Sequence, residues 1–209
     1  MTGVTGAEMA LADLRRAAAG CTDCELYREG TQTVFGEGPA AARILFVGEQ
    51  PGDREDREGH PFVGPAGHIL DRALDRASID RNRVYVTNAV KHFHNEPRGK
   101  KRIHRKPNLS HVRACEHWLR SELDVVRPEI VVALGATAVQ ALLPRDVRVT
   151  ADRGRVLPSE LGPPVLVTVH PSSILRTADE ERAAAMRAFV RDLAVLTRPV
   201  GATDAPRRS

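Results

Sequence analysis

Four short runs of apolar, mostly β-branched residues recur along the chain, at 43–48, 84–88, 130–135 and 165–169. Inside them apolar and polar positions do not alternate, so a sheet built from them must be covered on both faces. Turn residues and then apolar positions at helical spacing follow each run. The pattern predicts helices over 7–18, 66–77, 110–126, 136–143 and 180–196, with Ser110 as the N-cap of the third. Strands that alternate with helices in this way lie parallel. The expected architecture is α/β, a three-layer αβα sandwich around a central four-stranded parallel sheet. One domain over 7–197 accounts for the pattern, with 1–6 and 198–209 as flexible tails and no internal repeat. The connection from Asn88 to Ser110 is long for such a fold and predicts a functional loop.

Composition bounds this picture without altering it. A chain of 209 residues with 42% hydrophobic and 28% charged residues can bury a sizeable core, which excludes disorder throughout. No apolar run approaches the roughly 20 residues of a membrane span. Met1 to Thr5 lack the basic-then-apolar pattern of a signal peptide, so a cytoplasmic protein without membrane association is expected. The absence of a long heptad or a large apolar edge predicts a monomer.

Net charge is only +4, but its distribution is uneven. Residues 98–106 read RGKKRIHRK, placing Arg98, Lys100, Lys101, Arg102, Arg105 and Lys106 together without an acid. Such a run is either a solvated basic patch or a phosphate-binding loop, whose affinity would come from counterion release and fall with salt. Gly99 and Pro107 argue against a helix there, and His104 lies inside the run.

Ligands of open parallel sheets gather beyond the carboxyl ends of the strands. After the first run comes Gly48-Glu49-Gln50-Pro51-Gly52-Asp53, a tight turn carrying a carboxylate and an amide. Asn88 ends the second run, with Lys91 and His92 just beyond it. Gly135-Ala136-Thr137 follows the third as a helix start, and His170-Pro171-Ser172-Ser173 follows the fourth. Glu49, Asn88 and His170 are expected to converge in one pocket. The three cysteines are an odd number, and Cys21 and Cys24 form a Cys-x-x-Cys pair. This argues against a secreted disulfide framework and for a metal or redox site that includes Cys115. Four-coordination requires a fourth ligand, and ligand type alone leaves zinc open.

Together these segments resemble the uracil-DNA glycosylase superfamily, in particular its iron–sulfur family 4 branch and the UdgX relatives. The resemblance rests on Gly48–Asp53 (GEQPGD), His60–Gly67 (HPFVGPAG), Val86–Lys91 (VTNAVK), Lys101–His104 (KRIH), His170–Ser173 (HPSS) and the cysteines, which span nearly the whole chain. Family 4 enzymes usually have alanine at the position of Gln50 and lack the inserted basic loop, so Gln50 and Lys101–His104 are similar to UdgX. The resemblance implies a uracil-DNA glycosylase-like fold and excision of uracil from DNA. It further implies single-turnover covalent capture of the abasic sugar at C1′ by His104. It places His92 as the fourth ligand, with Cys21, Cys24 and Cys115, of a [4Fe–4S] cluster, zinc being the alternative. The partner implied is uracil-containing DNA, single strands included.

The chemistry of excision gives these residues roles. A stacked base must be flipped out and read along its polar edge. The Asn88 amide matches uracil O4 and N3–H, Phe62 can stack on the base, and Gln50 and Asp53 complete the uracil pocket. Negative charge developing on the base calls for a donor at O2, which His170 supplies. Glu49 can stabilise the cationic sugar, orient a water or orient His104. Lys101, Arg102 and Arg105 are expected to hold phosphates, with Ser172, Ser173 and Arg176 as further contacts. Two alternatives remain open: a multiple-turnover glycosylase using an activated water, and a noncatalytic metal-containing DNA-binding protein.

Overall fold

Thr5 opens the first helix, its side chain accepting from the Glu8 amide while Glu8 reaches back to the Thr5 backbone. The helix therefore includes Gly6, which the sequence pattern had assigned to the tail. The computed structural model describes residues 5–197, so the tails expected at 1–4 and 198–209 lie outside the described residues. In chain order the elements are α1 (Gly6–Ala18), β1 (Ile44–Gly48), α2 (Asp53–Glu58), α3 (Pro65–Arg76), β2 (Val84–Asn88), β3 (Asn95–Arg98), β4 (Lys101–His104), α4 (Leu109–Val126), β5 (Ile130–Leu134), α5 (Ala136–Leu142), α6 (Val149–Asp152), β6 (Val156–Leu157), β7 (Val165–Thr168), α7 (Pro171–Arg176) and α8 (Asp179–Leu193).

The central sheet runs β2-β1-β5-β7-β6. Its first four members are the predicted strands, and all pair parallel. The expected four-stranded sheet gains a fifth, antiparallel edge strand, β6, only two residues long. Successive strand residues face opposite layers. Leu45, Val47, Tyr85, Val131, Ala133, Val165 and Val167 pack in one cluster, with Leu119 and Leu123 of α4 and Val139 of α5. Phe46, Val86, Val132, Leu134 and Leu166 face the other, with Leu70 of α3 and Phe189 of α8. This two-sided burial explains why the strands read as continuous apolar runs.

The long connection after Asn88 is not an open loop. It contains the antiparallel hairpin β3–β4, in which Asn95 lies opposite His104. Helix α4 follows, but its N-cap is Asn108 rather than Ser110. The Asn108 side chain accepts from the His111 amide, and the His111 ring accepts from the Asn108 backbone. Among the described residues no helix is long and apolar enough to cross a membrane.

Candidate active site

The carboxyl ends of β1, β2, β5 and β7 bring the predicted groups to one end of the sheet. Gly48 and Asn88 are register partners at the ends of β1 and β2. A Cβ on Gly48 would lie 2.4 Å from Asn88 Oδ1 and 2.7 Å from Phe62 Cζ, so only glycine lets these two side chains meet over the strand end. Phe62 itself has a φ of 60°, costly for an aromatic residue. Its ring lies 6.3 Å from that of His170 with 28° between the planes. Gly135, at a φ of 86°, leaves room for His170, whose Cβ would be 2.9 Å from a Cβ at that position.

Beneath Asn88 lies a closed ionic network that the sequence did not reveal. Lys91 Nζ is 2.5 Å from Glu122 Oε2 and donates to Thr87 Oγ1 at 2.6 Å and to the Asn88 carbonyl at 2.9 Å. Glu122 also accepts from Tyr85 OH and the Gly36 amide, each at 3.0 Å. Both charges are fully buried, and each is matched by hydrogen bonds as burial requires. The network fixes the backbone that carries Asn88.

His170 caps α7, its Nδ1 accepting from the Ser172 amide at 3.2 Å. Burial pushes the imidazole down to about 4; Glu49 opposes this, while Arg176 and His104 add to it. The ring is therefore neutral at physiological pH. With Nδ1 accepting, its proton sits on Nε2, which leaves a neutral donor.

Glu49 is half-buried. Its Oε2 accepts from Thr137 Oγ1 at 2.6 Å, and its Oε1 lies 3.3 Å from His104 Nε2. Burial alone would raise this carboxyl, but hydrogen bonds from His104 and Thr137 and the electrostatic effect of His104 outweigh it and hold it below its ordinary value. His104, at the end of β4, is half exposed, with its ring 6.1 Å from that of Phe93. Glu49, His104 and His170 thus form an acid–base cluster beside Asn88 and Phe62.

Other predicted site residues are placed differently. The Gln50 amide is engaged with the hairpin: its Nε2 donates to the carbonyls of His94 and Arg105, at 3.2 and 3.0 Å, and its Oε1 accepts from the His94 amide. It pins the two feet of the hairpin. Arg102 is not a free phosphate ligand either. It is held at 2.6 Å by both Asp53 and Asp56, the latter fully buried, and also reaches Thr31. Asp53, expected in the uracil pocket, is thereby the partner of Arg102 on α2. Lys101 and Arg105 remain exposed, although Arg105 lies 3.3 Å from Glu96. Ser172 Oγ lies 2.8 Å from His170 Nδ1, and Ser173 Oγ donates to the His170 carbonyl, so both hydroxyls brace α7. Arg176 is exposed and donates to Ser172 Oγ.

Cys24 and Cys115 pack together with Leu26, Val90 and Val112. Cys115 draws the Cys24 thiol down to about 6. Cys21 accepts from Trp118 Nε1 at 3.3 Å, one helical turn along from Cys115. His92 is buried, with Nε2 2.9 Å from Thr33 Oγ1, and its Nδ1 has no hydrogen-bond partner. An orphaned buried imidazole nitrogen and a Cys24–Cys115 pair are groups of the kind a ligand set uses. Among the described residues, however, no three such side chains converge on a point suited to a single ion.

The model of the Uracil DNA glycosylase superfamily matches residues 35–194. A "Type-4 uracil-DNA glycosylase" of Thermotoga maritima is 38% identical over 162 residues, covering 77% of this chain and 81% of that protein. A second, from Pyrobaculum aerophilum, is 32% identical over 177 residues, covering 80% and 86%. A "Type-5 uracil-DNA glycosylase" of the same organism is 32% identical, with 66% and 64% covered.

Proposed function

The chain belongs to the uracil-DNA glycosylase superfamily, and we propose that it excises uracil from DNA and then captures the abasic sugar through His104, stopping after one turnover. One observation carries the second half of this reading: His104 Nε2 stands 3.3 Å from Glu49 Oε1, the carboxylate that follows β1 at the sheet end where Asn88, Phe62 and His170 gather. A flipped uracil stacks on Phe62 and offers O4 and N3–H to the Asn88 amide. The N1–C1′ bond breaks with its electron pair going to the base, and the neutral His170 Nε2–H donates to the charge developing on O2. The Glu49 carboxylate faces the cationic sugar. A lone pair of the His104 ring then forms the new bond to C1′, and the ring N–H proton passes to Glu49. Held in place, the imidazole outcompetes water through effective concentration.

A second reading has support in the names of the type-4 relatives, which specify glycosylases and nothing about capture. In it, Glu49 activates a water and uracil is released over many turnovers. Protein in excess over a uracil-containing single-stranded oligonucleotide, boiled in detergent and run on a denaturing gel, separates the two. A heat-stable shifted band supports capture. Alkali-labile DNA without that band, with uracil released beyond one equivalent, supports the water reaction.

The hairpin makes a related prediction. Arg102→Gln frees β4 from Asp53 and Asp56 without touching Glu49, Asn88 or His170, so the yield of adduct per uracil released should fall, with capture slowed about 10- to 100-fold. Lys101→Ala should instead weaken noncovalent DNA binding and lower its salt slope by about one unit. Equal effects of both variants on DNA affinity alone would refute the anchoring role of Arg102.

Cys21, Cys24, Cys115 and His92 would hold the [4Fe–4S] cluster, which requires its ligands around a polynuclear core rather than one ion. When bound it supplies a structural tie between the N-terminal segment, α4 and the foot of the hairpin. Brown protein with visible absorbance that bleaches on reduction supports it; colourless protein containing zinc replaces it. The substrate on this reading is uracil-containing DNA, single strands accepted, acted on by a cytoplasmic monomer.

A further inference from the structure

Glu49 has two oxygens and is asked to present one of them, in a fixed direction, to His104 and the sugar. Nothing in the turn Gly48–Asp53 does this, because Gln50 and Asp53 are engaged with the hairpin and α2. Oε2 is instead bound from beyond the end of the neighbouring strand β5 by Thr137, a residue of α5, whose hydroxyl donates at 2.6 Å. Thr137 is 1% exposed. Thr137 is the second residue of α5, so the carbonyls three and four residues back, on which a helical threonine can turn its hydroxyl, belong to β5. Here its single proton leaves the helix for a carboxylate 88 residues away in sequence. We propose that Thr137 is a positioning residue of the reaction, locking one oxygen of Glu49 so that the other is held toward His104.

This inference rests on the reading of Glu49 and His104 above. It requires no contact between Thr137 and the substrate. An anchored carboxylate loses rotation about its last torsion, so Oε1 stays where the sugar's charge appears, and no reorganisation is needed at the moment of reaction. The same bond favours the ionised form of Glu49. Sign and direction follow: activity that needs the carboxylate is lost as pH falls through its depressed value, and removing the hydroxyl moves that loss to higher pH.

The test uses Thr137→Val, which keeps the shape and deletes the hydroxyl, beside Thr137→Ser, which keeps the hydroxyl and deletes the methyl. Single-turnover adduct formation on a uracil-containing oligonucleotide is followed across pH, with thermal melting and affinity for uracil-free DNA as controls. The expected result is a fall of about 10- to 100-fold for valine, with the acid limb of the profile moved upward, and recovery by serine to within about threefold of the native rate. Serine slowed as much as valine, or valine equal to the native protein in rate and pH profile, overturns the proposal. If the native protein forms no adduct, the capture reading fails on its own, and the same comparison is made on uracil release. There Glu49 still serves the sugar or a water, and a valine effect rescued by serine upholds Thr137 while its absence overturns it.

Discussion

Replacing His104 by alanine is expected to abolish the heat-stable protein–DNA band while uracil release continues and passes one equivalent. The side chain that is lost does little for the fold. His104 is half exposed at the end of a hairpin separate from the central sheet, and its neighbour Phe93 is buried. The excision groups are on other elements: Asn88 ends β2, His170 caps α7, and Glu49 follows β1. Only the nucleophile goes. Water then occupies the space beside Glu49 Oε1, where a carboxylate can orient it, and the product leaves. Gel shift and uracil counted per protein give the result directly. A persistent adduct in His104→Ala would assign the bond to another residue, and loss of uracil release along with the adduct would place His104 in the bond-breaking step itself.

The contrast between His104 and Arg102 shows what was legible in the sequence and what was not. Charge density marks the 98–106 segment as special, and the rule that ligands gather beyond strand ends brings Glu49, Asn88 and His170 together from the sequence alone. Those inferences depend on local order along the chain. The pairing of Arg102 with Asp53 and Asp56 spans 49 and 46 residues, and an arginine spent on an internal salt bridge looks no different in sequence from one awaiting a phosphate. The partners of Gln50 are hidden for the same reason, since they are backbone groups of the hairpin's feet. Thr137 was legible only as part of a helix start.

The fold divides along similar lines. The four parallel strands were visible because burial on both faces makes them uniformly apolar. The hairpin was not, because β3 carries Pro97 and three of the four residues of β4 are exposed, which removes the alternation that marks a half-buried strand. Helix α2, with the sequence DREDRE, has no apolar stripe; it is held by what it offers Arg102 and Thr31. Edge strand β6 is two residues long and exists only as a partner of β7.

Glu49→Gln is expected to slow uracil release about 10²- to 10⁴-fold, in the native background and in His104→Ala alike. The amide keeps the size of the carboxylate and can still accept from Thr137, so the fold and the Thr137 contact survive. What disappears is a negative charge that burial makes expensive and that the hydrogen bonds of His104 and Thr137 hold ionised below the ordinary carboxylate value. That charge faces the sugar as the base departs, before any bond to His104 forms, so its loss should be felt whether or not the imidazole is present. Measured as a double-mutant cycle on single-turnover release, the two substitutions should therefore be nearly additive. If instead Glu49→Gln had no further effect once His104 was gone, the carboxylate would act only through the imidazole, orienting it and taking its proton. The pH dependence decides the same question independently. A carboxylate needed for bond breaking gives His104→Ala an acid limb, moved to higher pH than that of the native protein because the hydrogen bond and charge of His104 no longer oppose burial, whereas one needed only by the imidazole leaves that variant without such a limb.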